Sequence, residues 1–265
     1  MKKIKLFDPY TDKFEKIAIN RVLESNFWAS GEGNGNVKKF EEKFSKYVNS
    51  KNSVAVNSGT AALNLALSMY DIKNKEVILP SLSFVSTANA IIENQGIPKF
   101  VDIDEKTLCI DPKKILESIS NKTKIILPVH FGGFSSDLTE ISKICKKNKI
   151  YLIEDAAHAA GSSYKNKKIG SHGDLVCFSF HPVKNLAMPT GGLISINSKD
   201  HIKISKILKE KRWCGITSRK GVDYDVKSIG WNYYMNEFSA VIGIEQLKKL
   251  DKTNLQRKKN AKKYF

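Results

Sequence analysis

Three segments of the 265-residue sequence hold residue types that can do chemistry together. The first is Asn57-Ser58-Gly59-Thr60-Ala61-Ala62-Leu63, between the apolar run SVAV and a helical pattern. A strand-to-helix turn of this kind offers free backbone N–H groups and a positive dipole end to an anion such as phosphate. Gly59 lets the backbone come close, and Thr60 adds a hydroxyl. The same residues also suit a plain N-cap. The second segment, Glu154-Asp155-Ala156-Ala157-His158, follows the run YLI. Carboxylates at the C-terminal end of a parallel strand lie where α/β sheets bind ligands, although an acid there can also serve only as a helix cap. The third is Phe178-Ser179-Phe180-His181-Pro182-Val183-Lys184-Asn185, followed by Thr190-Gly191-Gly192. Lys184 sits in an apolar stretch, whereas the other lysines lie in polar runs. Burial and neighbouring charge lower a lysine's pKa and free the amine to attack carbonyls. An exposed loop lysine is the plain alternative. The glycine pair leaves room for a flat ring.

In chain order these are a phosphate cradle, a carboxylate and an apolar-flanked lysine. That is the set a pyridoxal 5′-phosphate (PLP) enzyme needs: a Schiff-base lysine, an acid for the pyridinium nitrogen and a helix N-terminus for the phosphate.

The elements that must position these residues follow from the pattern. Short β-branched runs alternate with amphipathic stretches: SVAV before 60–70, EVILP before 83–93, IPKFVDI before PKKILESI, TKIILPVHF before DLTEISKICKKN. IYLIEDAA, LVCFSF and GGLISI follow. Continuous apolar strands separated by helices imply parallel crossovers, so the expected fold class is α/β, a three-layer sandwich with a mostly parallel sheet. Two amphipathic helices, near 11–25 and 37–48, flank the loop Ser30-Gly31-Glu32-Gly33-Asn34-Gly35. That loop neither follows a strand nor carries the third glycine of GxGxxG, so no dinucleotide site is expected there. Residues 236–265 read as one or two helices with a lysine-crowded polar face.

Composition excludes several classes. Hydrophobic residues make up 41% and aromatics 9%, which is unlike disordered or fibrous chains. No run approaches the ~18 apolar residues of a membrane span. The start, MKKIKLFDPYTDKFEK, is basic but has no apolar core after it, so a signal peptide is not expected and a cytoplasmic location is. Cys109, Cys145, Cys177 and Cys214 form no CxxC pair, which argues against a disulfide framework or a zinc site. The net charge of +17 meets the first test for nucleic-acid binding, but no zinc finger, RNP motif or helix-turn-helix signature accompanies it. Dispersed, solvated lysine faces explain the charge, and a basic surface would attract an anionic substrate.

The sequence resembles the DegT/DnrJ/EryC1/StrS family, the sugar-nucleotide aminotransferases of PLP fold type I. The likeness runs through FWASGEGNGNVKKFEEKF, NSGTAALNLAL, PSLSFVSTANAI, LPVHFGG, EDAAHAAGSSYKNKKIGSHGDLVCFSFHPVKN and GWNYYMNEFSA. The resemblance implies a PLP cofactor, with Lys184 as the Schiff-base lysine and Asp155 as the partner of the pyridine nitrogen. It places His158 near the phenolic oxygen, Gly59, Thr60 and Ser179 at the phosphate, and Phe84 stacked on the ring. Asn232 resembles the asparagine that reaches the cofactor phosphate of the neighbouring subunit, which implies a homodimer with shared sites. Lys184, Asp155 and His158 are thus the expected catalytic residues. The expected reaction moves an amino group, from glutamate by resemblance, to a nucleotide-linked keto sugar. Lys184 argues against the dehydratase relatives, which carry histidine there.

Two departures stand out. Tyr234 occupies the arginine position of the usual GYNYRM motif. Family members also continue past this point, so the expected organisation is a PLP-binding large domain at 1–235 and a helical segment at 236–265 leading to a small domain absent from the chain. Leu247, Leu250, Leu255 and Phe265 are then expected to be partly exposed. A PLP-binding or dimerisation module without turnover is the alternative reading.

Overall fold

The computed structural model describes residues 5 and 8–264; the basic start at 1–4, residues 6 and 7, and Phe265 lie outside the described residues. Seven strands form the central sheet. They are β1 (Asn52–Val56), β2 (Glu76–Pro80), β3 (Ile97–Val101), β4 (Thr123–Ile126), β5 (Tyr151–Asp155) and, after the small hairpin β6 (Ser163–Tyr164) and β7 (Lys167–Lys168), β8 (Leu175–Ser179) and β9 (Gly192–Ile196). The spatial order is β1-β9-β8-β5-β4-β2-β3. Strands β8, β5, β4, β2 and β3 pair in parallel, while β9 runs antiparallel to both β8 and β1. The reversal has a local cause. The chain passes from β8 to β9 through a loop without a helix, and a parallel return would need a long crossover.

Among the described residues eight α-helices flank the sheet: α1 (Lys13–Ser25), α2 (Asn36–Val48), α3 (Gly59–Leu67), α4 (Val85–Glu93), α5 (Pro112–Ser118), α6 (Leu138–Asn148), α7 (His201–Lys211) and α8 (Glu237–Ala261). Alternate strand residues point to opposite faces. Val54 and Val56 therefore pack with Leu65 of α3, Ile91 of α4 and Leu208 of α7. Ala55 packs instead with Phe40 and Phe44 of α2 and Ile244 of α8. Farther along the sheet, Ile78 and Ile126 meet Ile115 of α5 and Ile141 of α6. The result is the three-layer α/β sandwich that the strand and helix pattern implied.

Three elements escaped the sequence reading: α7, the β6–β7 hairpin, and a second hairpin of β10 (Ile216–Lys220) and β11 (Asp223–Val226). Helix α7 buries only Ser205 and Leu208, too thin a stripe for apolar periodicity to reveal. The last helix needs a correction. Leu250 is fully buried and Leu247 nearly so, both in the cluster with Phe40 and Phe44. Of the three described residues only Leu255 is exposed as expected. Helix α8 lies along α2 through its first half, and beyond Leu250 it touches the body through polar side chains, Asp251 on Tyr47, Asn254 on the Ala160 carbonyl and Arg257 on the Asn185 carbonyl.

The glycine loop has a structural task. Arg212, with no solvent exposure, donates to Glu41 Oε1 at 2.6 Å, to the Ala55 carbonyl at 2.7 Å and to the Glu32 carbonyl at 2.9 Å. Glu41 also accepts from the Ala55 N–H at 2.9 Å and pairs with Lys209 at 3.2 Å. Gly33 lies directly over the guanidinium at φ 71°, where a Cβ would collide with Nη2. A charge this deep is tolerable only when it is paired; both terminal nitrogens have partners, and the buried Nε has none among the described residues. Arg212→Met should cost about 3–5 kcal/mol, because it removes the buried partner of Glu41 and leaves that carboxylate only Lys209 and the Ala55 N–H. The double variant Arg212→Met/Glu41→Leu should recover part of the loss. Urea denaturation midpoints of the two variants test this; equal losses would show that the pair is not coupled.

Candidate active site

The C-terminal ends of the parallel strands open into a cavity of about 460 Å³. Its walls carry Gly59, Thr60, Phe84, Asp155, His158, Ser179 and Lys184, so seven of the eight residues singled out from the sequence meet there. Asn232 does not line it. That residue is exposed and lies outside, its carbonyl accepting from Asn57 Nδ2 at 3.2 Å.

The cradle forms where β1 hands over to α3. Ser58 caps the helix, its hydroxyl accepting from the Ala61 N–H at 3.1 Å. The amides of Gly59 and Thr60 precede the helix's own hydrogen-bond ladder and are available to an anion. Gly59 is required by proximity: a Cβ there would come within 2.6 Å of Ser179 Cβ at the end of β8. The same approach brings the Ser179 hydroxyl beside the helix start.

The alternation of β5 separates its two acids. Glu154 faces the opposite side, wholly buried, where it bonds His130 Nε2 at 2.8 Å and accepts the Gly173 N–H. Asp155 faces the cavity at 4% exposure. Its Oδ1 accepts from the Ala157 N–H at 3.1 Å, and its Oδ2 accepts from the Thr87 hydroxyl at 2.8 Å. Thr87 was missed in the sequence. No local pattern marked it, because its bond to Asp155 joins residues far apart in the chain.

Phe84 stands at the start of α4 with 71% of its surface exposed, a flat apolar wall to the cavity. Lys184 lies in the loop between β8 and β9, half-buried. Burial pushes its ammonium below the usual lysine range, while Asp155 pulls in the opposite direction. Burial likewise lowers the His158 imidazolium, the Lys184 charge lowers it further, and Asp155 opposes both. His158 Nδ1 accepts the Gly132 N–H at 3.3 Å, so the neutral ring carries its proton on Nε2. Phe131 meets the ring edge-on at 6.0 Å between centroids.

An anion cradle, a flat wall, a fixed carboxylate and an amine of lowered proton affinity suit a small planar ligand that carries a phosphate and a carbonyl. No group of three or more His, Cys, Asp or Glu among the described residues could hold a metal ion.

Comparison with known proteins identifies the family. The profile of the DegT/DnrJ/EryC1/StrS aminotransferase family matches residues 9–265. The chain belongs to that family. It is 38% identical to the spore coat polysaccharide biosynthesis protein SpsC of Bacillus subtilis, over 97% of this chain and 67% of that protein. It is 37% identical to the UDP-4-amino-4,6-dideoxy-N-acetyl-β-L-altrosamine transaminase of Campylobacter jejuni, over 96% of this chain and 66% of the relative. Among solved structures, Streptococcus pneumoniae Spr1654 in its PLP-form superposes with a TM-score of 0.88 at 26% identity, covering 94% of this chain and 67% of that one. The chain thus spans about two thirds of the length of these relatives. The fold is that of the PLP-dependent aminotransferases of fold type I.

The charge coupling inside the cavity is testable. The folded state disfavours the His158 imidazolium, so the unfolded chain binds the extra proton as pH falls below the reference 6.5. Stability tied to His158 is complete above that pH and declines through the lowered native value. Lys184→Met removes a charge that depresses His158. In the cofactor-free protein its NMR titration midpoint should move upward, and the acid-side loss of stability should shrink. An unmoved midpoint would show that the lysine charge does not reach the ring.

Proposed function

We propose that the chain is a PLP-dependent aminotransferase acting on a nucleotide-linked keto sugar, with glutamate as amino donor, in amino-sugar and cell-surface polysaccharide synthesis. The observation that carries this reading is the convergence of Lys184, Asp155 and the Ser58–Thr60 helix start on one cavity. The residues fit the cofactor. Gly59, Thr60 and Ser179 would hold its phosphate, Phe84 would cover a ring face, Asp155 would pair with the ring nitrogen, and His158 would offer its Nε2 proton to the phenolic oxygen. When bound, PLP supplies an aldehyde that condenses with amines and a ring that accepts an electron pair.

The chain's own residues do the rest. Burial lowers the proton affinity of Lys184, which favours the neutral amine that a nucleophile requires. The same Nζ would take the proton from the donor's amine-bearing carbon as general base and, as general acid, would deliver it to the cofactor carbon that holds the transferred nitrogen. Asp155, held by two hydrogen bonds, would present its carboxylate to the ring nitrogen. The apolar wall at Phe84, Val129, Phe131 and Val183 lines the space around the amine and strengthens these charge interactions.

We propose further that the protein is a cytoplasmic homodimer in which Asn232 completes the partner's cofactor site. Its exposure outside its own cavity supports this reading. Residues 1–235 would form the PLP-binding large domain, and 236–265 would lead toward a small domain such as the longer relatives have room for. The C. jejuni relative's name, a nucleotide-sugar transaminase, supports the substrate class.

Borohydride treatment of the PLP-loaded protein should fix cofactor mass on Lys184, and Lys184→Ala should lose that adduct. A reducible adduct at another single lysine would overturn the assignment. Asp155→Asn should lose far more turnover than cofactor affinity, since an amide cannot hold the ring nitrogen protonated to the same degree. Adding glutamate should change the visible spectrum of the loaded protein. Cofactor uptake without a glutamate response would instead favour a PLP-binding or dimerisation module.

A further inference from the structure

We propose that Thr87 is the positioning residue for Asp155, acting through its buried hydroxyl. This rests on the reading that Asp155 pairs with the ring nitrogen of PLP.

Thr87 has no solvent exposure, on the first turn of α4. A carboxylate can only accept, so in the 2.8 Å contact the Thr87 hydroxyl donates to Asp155 Oδ2. The Ala157 N–H donates to Oδ1 at 3.1 Å. The two carboxylate oxygens are thus tied to different elements, one to α4 and one to the loop after β5. The Asp155 backbone is fixed separately, with its N–H on the Pro128 carbonyl at 2.9 Å and its carbonyl accepting from the His130 N–H at 3.0 Å. With the strand pinned, the remaining freedom of Asp155 is rotation of the carboxylate, and the Thr87 hydroxyl removes it. The other donor bonded to the carboxylate is a backbone amide, the Ala157 N–H of the loop after β5. Thr87 is the side chain that sets the angle.

The placement also couples two walls of the cavity. The Thr87 N–H donates to the Phe84 carbonyl at 3.0 Å, so a single helical turn carries the aromatic wall and the hydroxyl that aims the acid. The ring's stacking face and the acid at its nitrogen are then held in one rigid unit.

Thr87→Val is nearly isosteric and removes only the donor; Thr87→Ser keeps it. Crystal structures of the cofactor-free variants should show one Asp155 carboxylate orientation in the wild type and in Thr87→Ser, and a rotated or split carboxylate in Thr87→Val. In the PLP-loaded proteins, the NMR shift of the isotope-labelled ring nitrogen should move toward the unprotonated value in Thr87→Val and return in Thr87→Ser. Turnover should fall about ten- to hundredfold in Thr87→Val, the scale of one hydrogen bond to a charged group, with a much smaller change in cofactor affinity. An unmoved carboxylate in Thr87→Val, or equal disturbance in Val and Ser variants, would overturn the proposal. A rotated carboxylate in a protein that takes up no PLP would support the positioning of Asp155 and overturn the cofactor reading instead. Should Thr87→Val not fold, Thr87→Cys keeps the size with a weak donor and puts the same question.

Discussion

A guanidinium with no access to water sets how the edge of this sheet is closed. Arg212 reaches from the end of α7 to Glu41 on α2, to the backbone of β1 at Ala55 and to the glycine loop at Glu32. Isolated charges are not stable at such depth, so each of these elements must be present and in place for the arginine to be buried at all. Its backbone extends the constraint. The Arg212 carbonyl accepts from the Tyr233 N–H at 2.8 Å, and the Tyr233 carbonyl accepts from the Asn57 N–H at 2.7 Å. Asn57 directly precedes the Ser58–Thr60 turn. The position of the anion cradle therefore traces back, bond by bond, to a buried ion pair well outside the cavity.

The cavity itself is built from strand ends. Parallel strands β5 and β8 bring Asp155 and Ser179 to the same edge of the sheet, and the reversed β9 returns the chain so that the Lys184 loop lies across that edge. Strand alternation then sorts the two adjacent acids. Asp155 faces the cavity, while Glu154 is sealed with His130 and the Gly173 N–H on the far side. The sealed pair holds β5 to its neighbours, which gives the cavity-facing acid a rigid base. Few charges share the cavity, so each is felt strongly: Lys184 depresses His158, and Asp155 opposes burial at both.

The large positive charge has a more ordinary distribution. Beyond Leu250, α8 is mostly solvated and crowded with lysine, touching the body through Asp251, Asn254 and Arg257. Other lysines make exposed pairs one helical turn apart, as Lys114 with Glu117 and Lys143 with Glu140. Such pairs contribute little to stability. Their sum surrounds the protein with positive potential, which suits an anionic ligand in a cleft without specifying one.

The sequence alone determined the layers, the order of elements and most of the cavity. Apolar runs such as SVAV and EVILP are long enough to be buried on both faces, and the helical patterns between them force crossovers, so local periodicity sufficed. Gly59, Asp155 and Lys184 were legible because each sits at a strand end or in an apolar stretch where its residue type is costly without a purpose. Tertiary structure alone decided the rest. The reversal of β9, the burial of Leu247 and Leu250, and helix α7 with its thin stripe at Ser205 and Leu208 depend on partners distant in the chain. So do Arg212 beneath Gly33 and the Thr87 hydroxyl on Asp155, which join residues 179 and 68 positions apart. A hydrogen bond between side chains that far apart leaves no periodic trace in the sequence; it exists only once α4 and β5 are packed.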